Sequence, residues 1–118
     1  VVKQEDPLVV WGSGDQSRDF VYIDDLIDAL CLMIKKISDG RGVNVGFGQS
    51  VSFKEAAKIM AEIEGYNPKI QPLRDKAEGS FTVFADPTFI KSLGWQPRYS
   101  AQEGFAKVLN KVRSDLRK

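Results

Sequence analysis

The chain has no histidine, a single cysteine and almost no net charge, and each shortage removes a class of function. Without histidine the commonest general base and the commonest zinc ligand are missing, which excludes Ser-His-Asp and Cys-His catalysis. One thiol and scattered carboxylates are all that remain for a metal, so no structural metal is expected. Cys31 cannot close an internal disulfide, and its neighbours Leu30, Leu32 and Met33 predict a buried, unreactive thiol in a reducing, cytoplasmic setting. Lys and Arg number 17 against 16 Asp and Glu, so there is no broad basic field for nucleic acid or anionic lipid. Any phosphate site must be local. No apolar run approaches the roughly 18 residues that span a bilayer, and the N-terminus carries no signal-peptide pattern, so a soluble protein is expected.

Phosphate-cradling motifs are missing too. Gly12-Ser13-Gly14 is followed by Asp15-Gln16-Ser17 rather than completing a G-x-G-x-x-G, the glycines between Gly42 and Gly48 lack that spacing, and no Gly-Lys-Ser/Thr is present. The chain opens Val1-Val2-Lys3-Gln4 with no initiator Met, which reads as a piece of something longer. Its 118 residues are expected to form one domain, 1–118, with a core of its own.

What is present reads as mixed α and β. Two β-branched and aromatic runs, residues 8–11 and 20–23, flank a Gly-Ser-Gly-Asp turn signal and predict a hairpin that brings Trp11 near Arg18. Asp24 or Asp25 is expected to cap a helix whose apolar residues Leu26, Ile27, Leu30, Met33, Ile34 and Ile37 recur at helical spacing. Residues 42–46 suit a short strand, and Ser52 with Glu55 has capping-box spacing for a second helix that Gly65 ends. Residues 69–73 read as an edge strand, because Pro72 has no amide proton for a ladder, and 80–85 as another extended run. Asp86-Pro87 starts a short helix stopped by Gly94, and Ser100 with Glu103 opens a last helix. That helix is expected to turn Phe105, Val108, Leu109, Val112 and Leu116 toward the core.

The chemistry-bearing residues cluster in WGSGDQSRDFVY, residues 11–22. A flat indole and a planar cation at one mouth suit an aromatic ring bearing phosphates. Each also has a plainer reading: Trp11 as a core aromatic at a strand end, Arg18 as a surface charge paired with Asp15, Asp19 or Asp24. Asp24 and Asp25 read as capping residues, and Trp95, Asn44, Gly46, Asp86 and Tyr22 as packing and turn residues.

The order of Trp11-Gly12-Ser13-Gly14, the run from Arg18 to Leu26 (RDFVYIDDL), Asn44-Val45-Gly46, Lys76-Ala77-Glu78-Gly79 and Leu93-Gly94-Trp95-Gln96-Pro97 resembles the NAD-dependent epimerase/dehydratase family over nearly the whole chain. These are the extended short-chain dehydrogenase/reductases that act on nucleotide sugars. The Trp11 to Arg18 spacing and the Lys-x-Glu-Gly loop look most like the GDP-fucose synthase branch. The resemblance implies an α/β, C-terminal, substrate-binding portion without the N-terminal Rossmann unit. The family's Tyr-x-x-x-Lys pair is missing, since Tyr22, Tyr66 and Tyr99 are followed four places on by Leu26, Ile70 and Glu103. It further implies Trp11 against a nucleobase, Arg18 on the diphosphate, and Lys76 or Arg74 assisting from the loop at 74–79. No NAD or NADP is expected to bind this chain alone, although the full-length family uses one or the other. The expected ligand is a nucleotide-diphosphate sugar, bound weakly, and the expected assembly a homo-oligomer or a complex with the missing Rossmann half. The alternative is a free-standing binding or interaction module that kept the fold and lost the chemistry.

Overall fold

The computed structural model describes residues 1–117. The elements run β1 (Leu8–Trp11), β2 (Ser17–Arg18), α1 (Ile23–Lys36), β3 (Val51–Ser52), α2 (Phe53–Ile63), β4 (Ile70–Leu73), β5 (Thr82–Val83), α3 (Thr88–Ser92) and α4 (Ala101–Leu116). The alternation matches the expected order of strands and helices, but the pairing does not. No hairpin forms between β1 and its successor. Instead β1 pairs with β4 in parallel, Trp11 opposite Leu73, while β2 lies between β3 (antiparallel) and β5 (parallel).

The turn itself explains the difference. Gly12 and Gly14 both take positive φ, and the chain folds back so that the Gln16 side-chain amide donates to the Trp11 carbonyl. The amide of Gly12 is spent on Leu73 of β4, and the carbonyls of Gly14 and Gln16 accept from Lys54 and Phe53 at the start of α2. The glycine turn therefore passes the chain from one small sheet to another. The second strand accordingly falls at Ser17–Arg18 rather than at 20–23.

The strand expected at 42–46 is not formed, because among the described residues no strand lies beside it; Val43 and Val45 pack instead against the core. A strand exists only through its ladder partner. The edge strand at β4 is as expected, with Pro72 opposite Val10. Ser52 caps α2 by accepting from the Glu55 amide, and Ser100 and Glu103 form the full reciprocal box at α4. At α1 the N-cap is Tyr22, without a side-chain bond, and Asp24 and Asp25 sit in the first turn instead. Asp86 accepts from the amide and hydroxyl of Thr88, and these bonds hold its carboxyl below the ordinary carboxylate range.

The central cluster is small: Ala29 from α1, Ile90 from α3 and Trp95, with Leu32, Met33 and Leu93 around it. Asp25 is 1% exposed and closes this cluster by accepting from the amides of Arg98 and Tyr99 at 3.0 and 3.1 Å, while Trp95 Nε1 donates to its carbonyl. Tyr22 packs edge-on against Tyr99 and lies beside Gly104. Bidentate bonds from Arg113 to Glu64 pin α4 to the end of α2.

Much of the apolar surface stays uncovered. The radius of gyration is 16.6 Å, against about 13.5 Å for a compact domain of this length. Ile23, Ile27, Leu30 and Ile34 form an exposed stripe along α1, with Ile34 82% exposed, and Val108, Val112 and Leu116 of α4 are exposed as well. Cys31 lies on α1 and is exposed, which corrects the expectation of a buried thiol. Helical spacing identifies which face is apolar but not whether anything packs on it. No helix among the described residues is long and apolar enough to cross a membrane.

Candidate functional site

A cavity of about 530 Å³ is walled by β1, β2, α2 and the loop after β4. Trp11 and Arg18 both line it, so the two residues singled out together in the sequence meet on one surface although their strands do not pair. Trp11 is the last residue of β1 and is 64% exposed, which removes the reading of it as a core aromatic. Its backbone is fixed by the ladder to Leu73 and by the Gln16 amide, so the indole projects from a rigid anchor.

Arg18 is half-buried, with its guanidinium 5.6 Å from the centre of the Phe53 ring. Its Nη1 donates to the carbonyls of Ser17 and Ser80 at 2.7 and 2.8 Å, which aims the group and ties β2 to the loop before β5. Two of the carboxylates near it in sequence are engaged elsewhere. Asp15 pairs with Lys54 at 2.8 Å, and Asp19 accepts from the amides of Phe47 and Gly48. Among the described residues Arg18 has no acidic partner, and its Nε and Nη2 protons remain available. A positioned guanidinium with free donors on the wall of a largely apolar cavity is suited to an anionic oxygen.

Glu78 also reaches the cavity. Its Oε1 accepts a very short hydrogen bond from the amide of Ser13, and a Cβ on Gly12 would collide with its side chain, so the loop is clasped onto the glycine turn. Lys76 and Arg74 do not line the cavity; both are exposed on the loop, and Lys76 pairs with Asp75 at 3.6 Å. Gln16, Phe20 and Phe53 are wall residues that the sequence pattern did not single out. Gln16 could have been noticed as the lone uncharged amide between the glycine turn and Arg18, whereas Phe53 enters only through tertiary packing.

The cavity thus combines an exposed indole, an arginine without an acidic partner among the described residues and a largely apolar wall, beside a parallel strand pair. The chain is a member of the NAD-dependent epimerase/dehydratase family, whose model matches residues 1–46. It is 36% identical over 103 residues to a protein named putative GDP-L-fucose synthase 2 from Arabidopsis thaliana, covering 87% of this chain and 31% of that one. The structure of UDP-glucose 4-epimerase from Thermotoga maritima with UDP-glucose superposes with a TM-score of 0.82 at 30% identity, over 98% of this chain and 37% of that one. A dTDP-glucose 4,6-dehydratase from Bacillus anthracis shares the fold, with a TM-score of 0.85 at 18% identity, over 95% of this chain and 36% of that one. The chain thus spans about a third of the length of the relatives it matches.

Proposed function

We propose that this chain is the nucleotide-sugar-binding portion of an NAD(P)-dependent sugar-nucleotide epimerase, dehydratase or reductase. Trp11 carries the base on its face and Arg18 takes the diphosphate. The observation that supports this most directly is Arg18: an aimed guanidinium without an acidic partner, on the same cavity wall as an exposed indole. Lys76 and Arg74 join the site only if the loop at 74–79 moves inward, since in the structure they stand outside the cavity. The chain alone is inactive and binds no NAD or NADP, because it supplies neither a Tyr-x-x-x-Lys pair nor a glycine-rich cradle at a helix start. The exposed stripe on α1 takes a protein partner, a cofactor-binding unit in the working enzyme and a second copy when the chain is alone.

Stacking contributes about 1 to 3 kcal/mol and a charge-assisted hydrogen bond about 1.5 to 3, offset in large part by association costs. Dissociation constants in the millimolar to high-micromolar range, about −4 to −6 kcal/mol, are therefore expected. Chemical-shift mapping with UDP-glucose and GDP-mannose tests the reading. Shifts clustered at Trp11 and Arg18 and lost in Arg18→Ala support it; unchanged spectra at millimolar ligand reject it in favour of a non-catalytic module.

A further inference from the structure

β5 lies at the open edge of its sheet, since the strand order is β3-β2-β5. The carbonyls of Phe81 and Val83 accept from the amides of Ser17 and Asp19 at 2.7 and 3.1 Å, and the Ala85 amide donates to the Asp19 carboxylate. Backbone groups alternate sides along a strand, so the N–H and C=O of Thr82 and Phe84 face outward, away from β2. The run around them, Ser80 to Ala85, holds no charge and no proline, the two usual guards of an exposed edge. The acidic residues that flank it are turned inward, Glu78 to the Ser13 amide and Asp86 to Thr88. Phe81, Val83 and Phe84 are 64%, 48% and 59% exposed, an apolar strip on a different element from the α1 stripe.

This edge is self-complementary. An antiparallel copy related by a two-fold axis perpendicular to the sheet keeps each side chain on its own face, so residues an even number of places apart must meet. Centring the pair on Val83 sets Thr82 against Phe84 of the second copy, and each such pair exchanges both N–H···O=C bonds, which uses every outward backbone group of the two residues. Val83 then faces its own copy as a close non-hydrogen-bonded pair with Phe81 diagonal to it, a β-branched and aromatic cluster of the kind that stabilises paired strands. Centring on Thr82 would call on the Ser80 carbonyl, which is directed at Arg18 Nη1 at 2.8 Å. We infer that β5 is a self-association edge at which a second copy of this chain adds antiparallel through Thr82 and Phe84, joining the two sheets into one. The contact is small, so the association is weak, and it requires neither the α1 stripe nor a bound nucleotide.

The test follows amide–water exchange in the full chain by NMR at low-micromolar and at millimolar protein. The Thr82 and Phe84 amides are expected to exchange about fivefold slower at the higher concentration. Val83→Lys places two ammonium groups opposite each other on the two-fold axis and is expected to remove the slowing, whereas Ile34→Lys, on the exposed stripe of α1, is expected to keep it. Equal exchange in the wild type at both concentrations overturns the inference, and so does slowing that survives Val83→Lys. Slowing that disappears in Ile34→Lys assigns the association to α1 and overturns it too. Should Val83→Lys fail to fold, Phe84→Pro deletes an outward N–H without touching the β2 ladder, and the Thr82 amide reports instead. None of these outcomes bears on nucleotide binding, which chemical shifts at Trp11 and Arg18 decide separately.

Discussion

Asp25 and Arg18 are two charged side chains placed at the ends of one short stretch, and the structure uses them in opposite ways. Asp25 is enclosed, with both carboxylate oxygens filled by the amides of Arg98 and Tyr99 and by Arg98 Nε. Arg18 is aimed by two carbonyls and left with donors to spare. A charge whose hydrogen bonds are all met by its own chain is a fastener, while one with unspent donors in a cavity is an instrument. Both were legible as polar residues in RDFVYIDDL, and only the partners tell them apart.

The comparison breaks most sharply at Asp25. Asp25→Ala leaves the part-buried amides of Arg98 and Tyr99 without their acceptor and is expected to cost about 3 kcal/mol, read as a lower urea midpoint, whereas Arg18→Ala is expected to cost about 1 kcal/mol or less while abolishing ligand shifts. Trp95→Phe should fall between them. It removes the Nε1 donor to Asp25 and part of a fully packed ring, about 1 to 2 kcal/mol by thermal unfolding, with the ligand site unmoved. The smallest effect belongs to Glu103. Hydrogen bonds from the Ser100 amide and hydroxyl hold its carboxyl below the usual glutamate value, so its contribution is full at neutral pH and is lost as pH falls through that lowered value. Glu103→Gln is expected to flatten this part of the fall in melting temperature between neutral and acid pH.

Local signals were read well where local chemistry decides. The Ser100–Glu103 box, the Ser52 cap and the edge position of Pro72 depend on residues three or four apart or on one missing proton, and all stand in the structure. Pairing was misread because Gly12-Ser13-Gly14 announces a turn without saying which strand comes next to β1; Leu73 does, from far along the chain. The apolar repeat at Ile27, Leu30 and Ile34 was legible in the sequence, but its exposure was not, since periodicity carries no information about the covering surface. In the site, Trp11 and Arg18 were visible as residue types beside a turn. Phe53 was not, because its position depends on how α2 packs.

The parallel pairing of β1 with β4 has a consequence for how the chain folds. Trp11 meets Leu73, and Ser13 meets Glu78 across 65 residues of sequence, with Ser17 and Thr82 separated by as many. Pairings this distant are slow to close, because the entropy of the intervening loop is lost before any contact offsets it. The helices can form early from their own caps, but no partly folded chain possesses the cavity. At the proposed site a binding signal after dilution from denaturant is then expected to time the closing of β4 onto β1, later than the recovery of helix.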